Sequence, residues 1–232
     1  MKVVIHQPEH LPWCGLLARI ATADLWVILD SVQYRRRYFQ NRNQILGSEG
    51  LPLMLTVPVK DDGRDVKIQD VRIDNSTPWW ERHWKTLEHN YGRHLWWDIY
   101  EPELRPIYCA QWGSLAALNV TLAVTLLDFF QVKRRTVLSS TLNVAGAKSD
   151  LMLGLARKVG ATEYLAGPFE MQYLDHAALA AAGIRVKPFH YATTPYEQRR
   201  PEGTPFVADL SSIDLLMNRG VLAKSELLAG VR

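Results

Sequence analysis

The sequence predicts an α/β fold: a mainly parallel sheet with helices on both faces, interrupted by a β-hairpin and helical insertion. Three observations predict it. Short β-prone runs alternate with helix-patterned segments towards both ends of the chain, as βαβ units require. The run VVI (3–5) is apolar throughout and LWVILD (25–30) is apolar up to its closing Asp30, the pattern of parallel strands covered on both faces. Residues 40–132 change character, with a hairpin pattern followed by helices. The 232 residues then suit one α/β domain over 1–232, with 40–132 as the hairpin and helical insertion.

The elements follow in order. VVI is a strand, GLLARIATA (15–23) a helix by its apolar spacing, and LWVILD a second strand. NQIL, the four-residue turn GSEG and LPLMLTVPV form a hairpin, kept partly at an edge by Pro52 and Pro58. KDDGRD (60–65) is a second turn, and the alternating VKIQDVRI (66–73) predicts a third strand. A helix follows over 76–92, with Ser76 or Thr77 as its cap, Pro78 in its first turn and Gly92 as its stop. Two more are predicted near 101–110 and over 112–130. The α/β pattern then returns. Strands are predicted at 134–142, 162–168 and 185–191. Helices are predicted at 148–161, capped by Ser149 and stopped at Gly160, then at 173–184 and 211–220.

Composition narrows the function. A net charge of +3 favours small anionic ligands over committed nucleic-acid binding, although basic residues cluster in YRRRYFQNRN (34–43) and KRR (133–135). Cys14 and Cys109 make neither a disulfide framework nor a zinc set, which fits a reducing cytoplasm. No signal peptide is visible, and the apolar run 117–130 is too short to span a bilayer. Five of the eight tryptophans, at 79, 80, 84, 96 and 97, fall within nineteen residues; a core cluster and a stacking wall for a base or sugar both accommodate them.

Ligands of open α/β sheets bind beyond the carboxyl ends of the strands. The loop HQPEHLPW (6–13) lies there, between the first strand and first helix. His6 is the candidate base or charge stabiliser and Gln7 an orienting amide. His10 and Trp13 are candidate substrate contacts, and Pro8 and Pro12 stiffen the backbone. Gln33 and Tyr34 follow the second strand. Asn41, Arg42 and Asn43 suit an amide-lined pocket or a solvated hairpin equally. In GAKSDL (146–151), Gly146, Lys148 and Ser149 could cradle a phosphate, with Lys148 also stabilising charge; a plain helix start with a surface lysine is the alternative. Gly167 and Tyr173 belong to the loop after a later strand. Cys14 reads better as a small buried hydrophobe than as a nucleophile. The histidines show no metal spacing.

The run IHQPEHLPWCGLLARIATADLWVILDSVQYRRRYFQNRNQI resembles the opening of WbqC-like proteins. LTVPVK (55–60), the tryptophan–histidine pattern from Trp80, NYG (90–92), LAGPFEMQYLD (165–175), PYEQ (195–198) and LSSIDLLMNRG (210–220) extend the resemblance over nearly the whole chain. Cys14 departs from it, standing where the family has an aliphatic residue. The resemblance implies modification of amino sugars or small amines by acyl or aminoacyl groups, in surface-polysaccharide or specialised-metabolite assembly. A weaker fold analogy points to the nucleotidyltransferase superfamily, whose loop histidines act on ATP; LPW stands where its glycine–histidine ending would be.

Four readings follow. The first is an amide-forming ligase acting on a small amine or nucleotide-linked amino sugar, with ATP and magnesium as cofactors. The second is acyl transfer from a thioester or aminoacyl-tRNA donor without ATP. The third is nucleotidyl transfer to a sugar phosphate, with Asp30 as a metal ligand. The fourth is a non-catalytic sugar-binding protein. An exposed hairpin edge offers a route to a homodimer.

Overall fold

The computed structural model describes residues 1–60 and 66–232. The expected turn at 60–65 therefore lies, but for Lys60, outside the described residues. Five strands form a wholly parallel sheet: β1 (Lys2–His6), β2 (Leu25–Ile28), β5 (Arg135–Leu138), β6 (Glu163–Ala166) and β7 (Arg185–Pro188). Their order across the sheet is β5-β2-β1-β6-β7. The chain thus builds outward from β1 to one side, then returns and builds to the other. This is a doubly wound sheet, and its direction reverses between β1 and β6.

That reversal explains the two helical layers. Right-handed crossovers running in opposite directions place their helices on opposite faces. On one face, Val4, Trp26 and Ile28 pack with α1 (Cys14–Ala21), α4 (Leu115–Phe129), α8 (Ser212–Arg219) and α9 (Ala223–Ala229). On the other, Val3, Ile5, Leu25 and Val27 pack with α5 (Lys148–Lys158) and α7 (His176–Ala181). Successive residues of β1 point to opposite layers, and Val3, Val4 and Ile5 are all fully buried. Each contributes about 1.5–3 kcal/mol of burial, hence the unbroken apolar run.

Between β2 and β5 lie the hairpin β3 (Arg42–Leu46) and β4 (Pro52–Thr56), then α2 (Trp79–Tyr91), α3 (Trp97–Cys109) and α4. Leu46 pairs with Pro52, so the turn takes in residues 47–51, one more than expected. Residues 66–73 are not a third strand. Ile68–Asp70 form a single 3-10 turn, and Lys67, Arg72 and Ile73 make only isolated bridges. Neither Ser76 nor Thr77 caps α2, whose N-cap is Pro78. Trp79, His83, Trp84, Leu87 and Tyr91 form the buried stripe of α2, at helical spacing. With Trp97 also buried, the tryptophan cluster is mainly core. Two short helices lie outside the expected set, α6 (Pro168–Met171) and α9.

Candidate functional site

A cleft of about 530 Å³ opens at the carboxyl ends of β1 and β6, where the winding of the sheet reverses. Its size and position are those of a small-molecule site in this architecture. His6 ends β1, Gln7 and Glu9 follow it, Trp13 immediately precedes α1 and Arg19 lies within that helix. Gly167, Phe169, Glu170 and Tyr173 follow β6; Phe189, Tyr191 and Asp209 close the far side; Arg35, Tyr38 and Phe39 form a lip.

The loop 6–13 is held by amides from elements distant in the chain. The Asn43 side chain donates to the carbonyls of His10 and Leu11, at 3.2 and 2.8 Å. Asn119, buried in α4, donates to the carbonyls of Pro8 and Gln40. The Gln40 amide donates to Gln7 Oε1 at 2.6 Å, and Gln40 Oε1 accepts from the Arg35 N–H. Leu11 adopts φ 43°, a left-handed conformation that this network holds in place.

The cleft floor carries two titratable pairs. His6 Nδ1 lies 2.9 Å from the Gln7 carbonyl. A carbonyl only accepts, so Nδ1 bears the proton and Nε2 keeps its lone pair. That Nε2 is 3.8 Å from Glu9 Oε1. Burial, reinforced by the Arg19 charge, lowers the His6 pKa to about 3. Burial raises that of Glu9 to about 8, with Arg19 opposing. Glu9 Oε2 is buried without a hydrogen-bond partner, an environment that favours the neutral acid. The second pair is Arg19 and Glu170, 2.6 Å apart and buried. Glu170 also accepts from the Gly167 N–H. A Cβ on Gly167 would stand 2.7 Å from the Arg19 guanidinium, so glycine is what lets the arginine in.

The cleft therefore brings together His6, Gln7, Trp13, Gly167 and Tyr173 from the expected set. Other expected residues sit elsewhere. His10 is fully buried against His83, their rings 5.7 Å apart. Asn41 is buried and donates to the Val57 carbonyl, Asn43 ties the loop, and Arg42 donates to the Arg37 carbonyl. Tyr34 is buried, and Gln33 bridges to Lys67. None of these six lines the cleft. Nor do Gly146, Lys148 and Ser149. Gly146 makes a tight turn at φ 128°, and Ser149, rather than capping α5, accepts from the Asp175 N–H at 2.7 Å. Asp30 is occupied too: Ser139 and Ser140 donate to both its oxygens. Cys14 is buried, and burial followed by the Asp214 charge pushes its thiol up, away from the thiolate.

Glu9, Arg19, Glu170, Tyr191 and Asp209 were not singled out from the sequence. One signal exists, for Arg19: it interrupts the apolar pattern of GLLARIATA (15–23), and in a helix that the structure buries at every residue such a charge requires a buried partner.

No helix among the described residues is long and apolar enough to cross a membrane. No solved structure matches the chain. It is 34% identical over 224 residues to "Uncharacterized protein Rv1507c" of Mycobacterium tuberculosis (strain ATCC 25618 / H37Rv), covering 96% of this chain and 95% of that one. The family model described as WbqC-like protein family matches residues 7–226. With nearly its whole length so matched, the chain belongs to the WbqC-like protein family.

Proposed function

We propose that the protein transfers an acyl or aminoacyl group from an already activated donor onto a small amine, forming an amide. The observation that carries this reading is the His6–Glu9 pair. Environment pushes the two pKa values past each other, so that at neutral pH the imidazole is unprotonated and the carboxyl protonated; His6 is then a weak base, which takes a proton only from a nitrogen made acidic as its bond to the acyl carbon forms. The attacking amine forms its bond to the acyl carbon and gives its proton to His6 Nε2. As the bond from carbon to the sulfur or oxygen of the leaving group breaks, Glu9 supplies that atom's proton. The 3.8 Å between Nε2 and Oε1 lets the proton return from imidazolium to carboxylate, which resets the site.

This reading leaves ATP out: among the described residues Arg19 is paired with Glu170, Arg35 stands exposed at the lip, and Lys148 does not reach the lining. One exposed arginine is little for a triphosphate, and the donor in this reading arrives activated, as a thioester or ester. The aromatic walls suit an amine carried on a ring, as in an amino sugar.

The test is amide formation from pooled acyl thioesters and small amines without ATP, read by mass spectrometry. Wild type should form product, and His6→Ala should lose about 100-fold or more in rate while keeping its fold. Unchanged turnover in His6→Ala would sink the assignment, and so would ATP–pyrophosphate exchange dependent on one acid.

A further inference from the structure

We propose that Asp209, with Trp13 and Tyr191, forms a subsite for a protonated amine on the substrate, separate from the amine that reacts at His6. The proposal rests on the cleft being the substrate site; its binding test does not depend on acyl transfer.

Asp209 lines the cleft in a left-handed conformation, φ 57°. Aspartate tolerates that region better than most residues, but it is still uncommon and needs support. The support is visible. The Thr193 hydroxyl donates to Asp209 Oδ1 at 2.7 Å. Gln198 clamps Val207 twice, donating to its carbonyl and accepting from its N–H, both at 2.9 Å. Gln198 also donates to buried Asp214, which accepts from the Tyr91 and Tyr196 hydroxyls as well. The Ser212 N–H donates to the Pro12 carbonyl and so ties this wall to the loop before Trp13. PYEQ and LSSIDLLMNRG thus build the wall that presents Asp209.

The aromatic half is equally set. The Trp13 and Tyr191 rings meet edge to face at 5.6 Å and 90°, beside buried Phe189. The Trp13 indole lies where a Cβ on residue 15 would stand, so Gly15 makes its room. Among the described residues Asp209 has no ion-pair partner, and the two arginines of the cleft lining are engaged with Glu170 and Tyr38. A carboxylate beside aromatic rings attracts an ammonium group through charge and the ring quadrupole. A neutral hydroxyl or an anion gains neither.

Calorimetry with benzylamine, protonated at pH 7, and neutral benzyl alcohol tests this. The wild-type protein should bind benzylammonium about tenfold more tightly. Asp209→Asn keeps the backbone conformation and the bond from Thr193, so it should fold, as a melting curve verifies, and the preference should shrink to about twofold or less. His6→Ala should retain the preference, which separates this subsite from the chemistry at His6. Equal affinities in wild type, no binding of either probe, or a preference unchanged in Asp209→Asn overturns the proposal. Two further arms locate the ammonium. A preference for glycyl over acetyl thioester that Asp209→Asn removes places it on the donor. A preference for a diamine over a monoamine, lost in the same way, places it on the acceptor.

Discussion

His6 Nε2 and Glu9 Oε1 face each other across 3.8 Å, too far for a hydrogen bond and close enough to exchange a proton once the substrate draws them in. The acid–base reading has a signed pH dependence. Turnover should hold across neutral pH and fall as pH rises through about 8, where Glu9 loses its proton. Glu9→Gln should lower kcat by about 100-fold and remove that alkaline limb. A limb that persists in Glu9→Gln assigns it to another group.

Stability should depend on pH through the buried histidines. His10 is lowered to about 3 and His83 to about 4, chiefly by burial, from an ordinary 6.5. Between those values the unfolded chain binds protons that the fold refuses. Stability should therefore fall as pH drops below about 6.5. His10→Phe removes two buried ring nitrogens that have no partner, and it should move the acid-unfolding midpoint down. Glu9 acts in the opposite sense. Its pKa rises from 4.5 to about 8, so its contribution declines as pH rises through that window. Melting temperatures across pH for wild type, His10→Phe and Glu9→Gln should separate the two slopes.

Breaking the pair at the β6 end of the cleft should be costly. Glu170→Ala leaves the Arg19 guanidinium buried without its partner, at about 3–5 kcal/mol by urea denaturation. Gly167→Ala should displace the same guanidinium by steric contact alone. A loss under 1 kcal/mol in both (about the exposed-pair range) would show the pair to be solvated.

The two cysteines should differ sharply. Iodoacetamide should label exposed Cys109 in the native protein and leave buried Cys14 untouched, as peptide mass spectrometry reads directly. Cys14→Ala should keep turnover.

Much of this site was legible in HQPEHLPW, because the loop after the first strand of an open α/β sheet lies at its carboxyl edge whatever the strand order. His6, Gln7 and Trp13 followed from that alone. The sequence also places 165–173 and GAKSDL at that edge, naming Gly167 and Tyr173, but which of the two loops meets HQPEHLPW depends on which strand lies next to β1. The neighbour is β6, which brings Gly167, Glu170 and Tyr173 into the cleft; GAKSDL follows β5, which lies beyond β2. Polar type alone does not distinguish roles at Asn41 and Asn43, whose amides donate to backbone carbonyls away from the cleft. Glu9 lies within HQPEHLPW, but its burial beside Arg19 is a tertiary fact. The failed strand at 66–73 has a similar cause: its alternation reflects Ile68, Val71 and Ile73 packing singly onto the helical layer.

The most direct test of the central claim is the protonation state of His6, read by long-range proton–nitrogen NMR on the free protein with His6→Ala as the assignment control. A neutral ring at pH 7, with the proton on Nδ1, a bare Nε2 and titration only near pH 3, is the result expected. An imidazolium at pH 7, or a proton on Nε2 alone, would contradict His6 as the base of this cleft.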